Sequence, residues 1–135
     1  PLSLILLDVD RFKHYNDFHG HQAGDRCLVM VANAIKTSLL RPADLAARYG
    51  GEEFAVILPD TGLAGAEAVA ERIRTSIAAA STYDLGSEVT ASLGVAEYDL
   101  TKAPTTPESL VRRADGALYS AKAAGRNRVM AAAAE

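Results

Sequence analysis

Leu4-Ile5-Leu6-Leu7-Asp8-Val9 is a short, almost unbroken apolar run. A run of this length suits a central strand buried on both faces. The period then changes. Leu28, Val31, Ala32, Ile35 and Leu39 recur at helical spacing and predict a helix from about Gly24 to Leu40, beyond which Pro42 prevents simple continuation. Ala46–Tyr49 and Phe54–Leu58 read as the arms of a β-hairpin. Ala66, Val69, Ala70, Ile73 and Ile77 mark a second amphipathic helix with Thr61 as its expected N-cap. Val89, Ala91, Leu93 and Val95 alternate with Thr90, Ser92 and Gly94, as in a strand with one polar face. Leu110, Ala114, Ala117, Leu118 and Ala121 make a third long helix, capped by Thr106, opened by Pro107 and stopped by Gly125. Arg128–Ala132 supplies a last strand. The order βαββαβαβ predicts an α/β (α+β) domain, a mixed sheet covered by helices.

A chain of 135 residues, 49% hydrophobic and 23% charged, fits one domain able to bury its own core. No repeat, low-complexity linker or second domain is visible. The net charge of −3 gives no global reason to bind nucleic acid or an anionic membrane. Phosphate binding would therefore need local cations and backbone amides. Cys27 is the only cysteine, so no intrachain disulfide forms, and it sits on an apolar helical stripe. No apolar run approaches the ~20 residues that span a bilayer. The abrupt start at Pro1 and the alanine tract at the other end read as an excised piece of a longer sensor protein.

Polar chemistry concentrates at the joints of these elements. Arg48-Tyr49-Gly50-Gly51-Glu52-Glu53-Phe54 places two glycines and two carboxylates at the hairpin tip. Gly-Gly allows a turn with positive φ and close approach of a ligand. The carboxylate pair is either a solvated acidic turn or a cation site. Asp8 and Asp10 end the first strand and share a face if strand geometry persists. A carboxylate there needs a partner: a hard cation such as Mg²⁺, or a cap or salt bridge. Between Lys13 and Asp25 lie Asn16, Asp17, Gly20, His21 and Gly24. An amide and a carboxylate together suit the edge of guanine. His14, His19 and His21 lack the spacing of a helical zinc pair. Lys122 and Arg126, four apart near the last helix end, serve either the helix C-terminus or a phosphate.

Taken together, Asp8-Val9-Asp10-x-Phe12-Lys13-x-x-Asn16-Asp17-x-x-Gly20-His21-x-x-Gly24-Asp25, the Gly-Gly-Glu-Glu-Phe block and Ala114-Asp115-x-Ala117-Leu118-Tyr119-x-Ala121-Lys122-x-x-Gly125-Arg126-Asn127 resemble the GGDEF family of diguanylate cyclases. The likeness spans nearly the whole chain, minus the family's N-terminal helix. It implies a five-stranded sheet wrapped by helices, as in nucleotidyl cyclases and polymerase palms, with the signature hairpin at the active site. It implies condensation of two GTP into cyclic di-GMP between two facing protomers, with Mg²⁺ or Mn²⁺, two per site. Asp8, the Val9 carbonyl and Glu52 would hold metal, and Glu53 would support the metal or the phosphates. Asn16 and Asp25 would read guanine, Gly51 would leave room for the nucleoside and His21 would line the site. Amides around Phe12, with Lys13, Lys122 and Arg126, would hold phosphates. Lys13 would stabilise developing charge, and Glu52 is a candidate general base.

Arg41-Pro42-Ala43-Asp44 has the Arg-x-x-Asp form and the offset of the family's product-inhibition site. Arg41 can grip guanine or phosphate as a fork and Asp44 can accept from guanine N–H groups, with Arg72 as a candidate partner. The resemblance favours an active cytoplasmic cyclase, free or tethered through regions outside this chain. The alternative is a catalytically silent module that binds GTP or cyclic di-GMP and regulates an attached domain.

Overall fold

The computed structural model describes residues 1–99, 101 and 106–133. Its elements run β1 (Leu2–Val9), α1 (Phe12–His19), α2 (His21–Ser38), β2 (Leu45–Arg48), β3 (Glu53–Pro59), α3 (Leu63–Leu85), β4 (Ala91–Tyr98), α4 (Pro107–Ala123) and β5 (Val129–Ala131). The five strands form one sheet in the order β2-β3-β1-β4-β5. All neighbours are antiparallel except β4 and β5, so the sheet is mixed as expected.

The apolar run became the middle strand because it can be buried on both sides. Ile5, Leu7 and Val9 join Val31, Ile35, Ile73 and Ile77 in the core under α2 and α3. Leu4 and Leu6 face the other way, against Leu110, Ala114 and Leu118 of α4. Each fully buried aliphatic side chain contributes roughly 1.5–3 kcal/mol. Strand alternation then dictates that Asp8, next after Leu6 on the even face, points toward α4. Cys27 is fully buried and burial raises its thiol pKa to about 11, so it is a core residue and not a nucleophile.

Four details depart from the sequence-based expectations. An eight-residue helix, α1, precedes the first long one. It buries no residue fully, so no apolar stripe announced it; Phe12 and Tyr15 merely lean on the core. The first long helix starts at His21 rather than Gly24 and ends at Ser38. Thr61 is not the N-cap of α3; that position is Gly62. The Thr61 hydroxyl donates to the Pro59 carbonyl and accepts from Arg41, while the Leu63 N–H at the start of α3 is taken by the Glu97 carboxylate of β4. A carboxylate reaching in from the sheet satisfies the helix start as a local cap would. The β4 strand starts at Ala91, since Val89 donates its N–H to the Ser81 hydroxyl. The Thr106 cap holds, its side chain accepting from the Ser109 N–H.

One close approach positions the site. A Cβ built on Gly94 would lie 2.3 Å from the Ala114 carbonyl oxygen and 2.3 Å from the Leu118 nitrogen. Backbone of α4 therefore rests directly on backbone of β4. Among the described residues no helix is long and apolar enough to cross a membrane.

Candidate active site

Asp8 is 8% exposed, and its carboxylate is bonded by the Lys122 ammonium from the end of α4. Burial pushes the Asp8 carboxyl above its ordinary value of 3.8; Lys122 opposes this, and the charges of Glu52 and Asp10 add to it. Three acidic groups thus converge on one end of the sheet with a lysine among them. The site calls for positive charge.

Glu52 comes from the hairpin. Its backbone carbonyl accepts from the Val9 N–H at 3.1 Å, tying the tip to the end of β1 whatever the side chain does. The tip spans residues 49–52, and neither Gly50 nor Gly51 adopts the left-handed φ expected for it. A four-residue connection can reverse around a type I turn, which needs no positive φ. Arg48 holds it instead, donating to the carbonyls of Gly50 and Gly51 at 2.6 to 3.1 Å. Gly51 opens on free space, with nothing within 4 Å of a built Cβ.

A depression of about 180 Å³ gathers Asp8, Val9, Phe12, Lys13, Glu52, Lys122 and Arg126, with Asp10 and Arg11. It joins the end of β1, the start of α1, the hairpin and the segment after α4. The α1 N-terminus carries no side-chain cap, and its first residues, Phe12 and Lys13, line the depression. Lys122 bonds Asp8 here rather than standing free for phosphate. Arg126 does not share a helix face with it, because α4 ends at Ala123 and Arg126 is left-handed, at φ 66°. Glu53 pairs with Asp8 across β1 and β3, yet its side chain lines a neighbouring hollow with Tyr49, Pro107 and Asp115. The structure does not bring Glu53 to the Asp8–Glu52 depression.

Among the described residues no three His, Cys, Asp or Glu side chains cluster as a metal cage. Asp8 and Glu52 are two hard oxygen donors in an open depression. That donor set fits Mg²⁺, which takes one or two carboxylates and fills its shell with water and phosphate.

Asn16, at the end of α1, donates from Nδ2 to the His21 ring Nδ1 at 3.0 Å. Gly24 makes room for it: a Cβ there would sit 2.0 Å from Asn16 Oδ1. Asp25 follows on α2 and opens on a groove shared with Arg48 and Phe54 of the hairpin arms. The expected guanine readers thus flank the α1–α2 junction.

Arg41 and Asp44 stand at the opposite, far end of β3. Arg41 Nη2 donates to Asp44 Oδ1 at 2.5 Å and to the Pro59 carbonyl at 2.7 Å, and Asp44 is buried beneath it. Arg72, from α3, donates twice to the Ser38 carbonyl at the end of α2. Arg41 lies within the α2–β2 connection and Arg72 bonds the residue that precedes it.

Two residues had no expected role as placed. Asp10 lies just past the strand, beside Asp8 in the same depression, and accepts from the Thr90 and Ser92 hydroxyls at 2.7 and 2.6 Å and the Asn127 N–H at 3.0 Å. It is an anchor saturated by protein donors. Arg48, the hairpin clamp, carried no signal beyond its place in the motif.

A mixed five-stranded sheet with helices on both faces and a carboxylate hairpin beside an uncapped helix start defines a nucleotidyl-cyclase, polymerase-palm type of domain. The family described as diguanylate cyclase, GGDEF domain, matches residues 1–128, and the chain belongs to it. Diguanylate cyclase A of Treponema denticola is 52% identical over 132 residues, covering 95% of this chain and 34% of that protein. The active GGEEF domain of a diguanylate cyclase from Vibrio cholerae superposes with a TM-score of 0.89 at 32% identity, over 99% of this chain and 84% of that one. The GGDEF domain of DgcB from Caulobacter crescentus, in complex with c-di-GMP, gives 0.85 at 39% identity, over 96% and 77%. The chain spans about a third of the length of the curated relatives it matches.

Proposed function

We propose that this domain is the catalytic part of a longer diguanylate cyclase acting in the cytoplasm. Two GTP, one on each of two facing protomers, condense into cyclic di-GMP. Each ribose 3′-oxygen bonds to the α-phosphorus of the other nucleotide, its proton leaves, and each Pα–O bond to pyrophosphate breaks. What supports this reading is the convergence of Asp8, Val9, Glu52, Lys13 and Arg126 on one depression at an uncapped helix start. Asp8, the Val9 carbonyl and Glu52 would hold Mg²⁺ or Mn²⁺, two per site. When bound, the metal neutralises phosphoryl charge and lowers the pKa of the attacking hydroxyl.

The chain's own residues do the positioning. The α1 amides at Phe12 and Lys13 take phosphate oxygens, with Lys13 meeting charge that develops on the triphosphate. Lys122, paired with Asp8, and Arg126 bring positive charge to the phosphate side of the depression. Asn16, oriented by His21, and Asp25 read guanine, and Gly51 admits the nucleoside. Glu52 is the only carboxylate in this set on the hairpin and the candidate base. The test is to incubate the chain with GTP and Mg²⁺ and separate products by chromatography. Cyclic di-GMP that rises per mole of protein with concentration, or with a fused leucine zipper, supports paired half-sites. Binding of GTP without turnover in the zipper fusion would favour the silent-module alternative.

Product inhibition follows from the second site. Arg41, Asp44 and Arg72 bind cyclic di-GMP, as that ligand accompanies the Caulobacter domain. The Arg41 fork already engages Asp44, so guanine is met by a preformed pair. Arg41→Ala is expected to weaken cyclic di-GMP binding severalfold to about a hundredfold, ~1–3 kcal/mol by analogy with bidentate base recognition. Calorimetry with cyclic di-GMP and with GTP checks it: GTP affinity should not change, and equal product affinity would make the pair an ordinary surface contact.

A further inference from the structure

The segment after α4 holds three consecutive residues at positive φ: Gly125 at 124°, Arg126 at 66° and Asn127 at 47°. Two of them carry side chains, for which this conformation is costly and persists only where the surroundings impose it. The constraints are visible. The Arg126 N–H bonds the Ala121 carbonyl at 3.0 Å, and the Asn127 N–H bonds the Asp10 carboxylate. The Asn127 side-chain oxygen accepts from Arg74 Nη1 of α3 at 2.8 Å, a contact between residues far apart in sequence. Arg74 is itself aimed: Nε and Nη2 both bond the Glu71 carboxylate one turn earlier, which leaves Nη1 directed at Asn127. Its side chain is only 21% exposed.

We propose that Arg74 is a positioning residue for the nucleotide site. Through Asn127 it locks the left-handed pair and so aims the Arg126 guanidinium into the depression beside Asp8 and Lys122. The proposal rests on the reading of Arg126 as a phosphate ligand. Asp10 fixes the backbone of this turn from the sheet and Arg74 fixes its side chain from α3. A guanidinium suits the task because one planar fork serves Glu71 and Asn127 at once. Lysine offers a single point charge and can serve only one of them well.

The test uses the 135-residue chain with Mg²⁺ and two probes: 3′-deoxy-GTP, which cannot condense, by calorimetry, and guanosine, by NMR shifts. Arg74→Ala is expected to weaken 3′-deoxy-GTP about tenfold, within the range of coupled neighbours, with guanosine affinity within about twofold. Arg74→Lys should fall between Arg74→Ala and the parent. Arg126→Ala should lose the triphosphate comparably, and the double variant should be no worse than Arg126→Ala alone. Multiplying losses, equal weakening of guanosine, or an unchanged triphosphate affinity in Arg74→Ala would overturn the proposal while leaving Arg126 as a ligand. An Arg126→Ala chain that binds 3′-deoxy-GTP as the parent does would overturn both the proposal and the phosphate reading beneath it.

Discussion

Glu52→Gln is expected to slow cyclic di-GMP formation by about a thousandfold or more, equivalent to ~4 kcal/mol of lost charge stabilisation. The substitution keeps size and shape. It also keeps the backbone bond from the Val9 N–H to the residue 52 carbonyl, so the hairpin stays docked on β1. What disappears is one of two carboxylates available to a cation, leaving Asp8, whose ionisation burial already opposes. Chromatography of the product, with far-UV circular dichroism as the control for folding, measures the effect. Product formation near the parent rate in a folded Glu52→Gln chain would remove Glu52 from the metal site.

Gly24→Ala is the second large effect, and simple helix propensity assigns it the opposite sign. Alanine inside α2 should stabilise an ordinary helix by ~1 kcal/mol. Here the added methyl would meet Asn16 Oδ1 at 2.0 Å and Asn16 Cγ at 2.9 Å. The asparagine must leave its bond with His21, and a lost base contact of this kind is worth ~1–3 kcal/mol, up to about a hundredfold in affinity. GTP affinity should therefore fall by about that factor while cyclic di-GMP binding at Arg41 is retained. Calorimetry with both ligands decides it; a Gly24→Ala chain that binds GTP normally would show that Asn16 does not read guanine.

The large elements were legible because burial writes itself into spacing. β1 is mostly apolar since both its faces are covered, and α2, α3 and α4 each show a stripe because each covers one face of the sheet. α1 was silent for the complementary reason: with no fully buried residue it leaves no period. Asp8 and Glu52 could be paired on motif alone, but not their separation from Glu53, which depends on how the tip folds over. Asp10 looked like Asp8 in the sequence. Only the fold reveals that Thr90, Ser92 and Asn127, remote along the chain, have already satisfied it. Thr61 failed as a cap for the same kind of reason, its place filled by Glu97 from another strand. Local codes were readable wherever the partner is local.

Gly94 sits beneath α4 with no room for even one methyl group, its nearest neighbours being main-chain atoms that cannot swing aside. Any larger residue there would lift the helix from the sheet and withdraw Lys122, carried on the same helix, from Asp8. A saturation screen scored only for product would rank position 94 among the catalytic residues, although it faces no substrate. It works as a spacer whose thickness sets the reach of a charge several residues away.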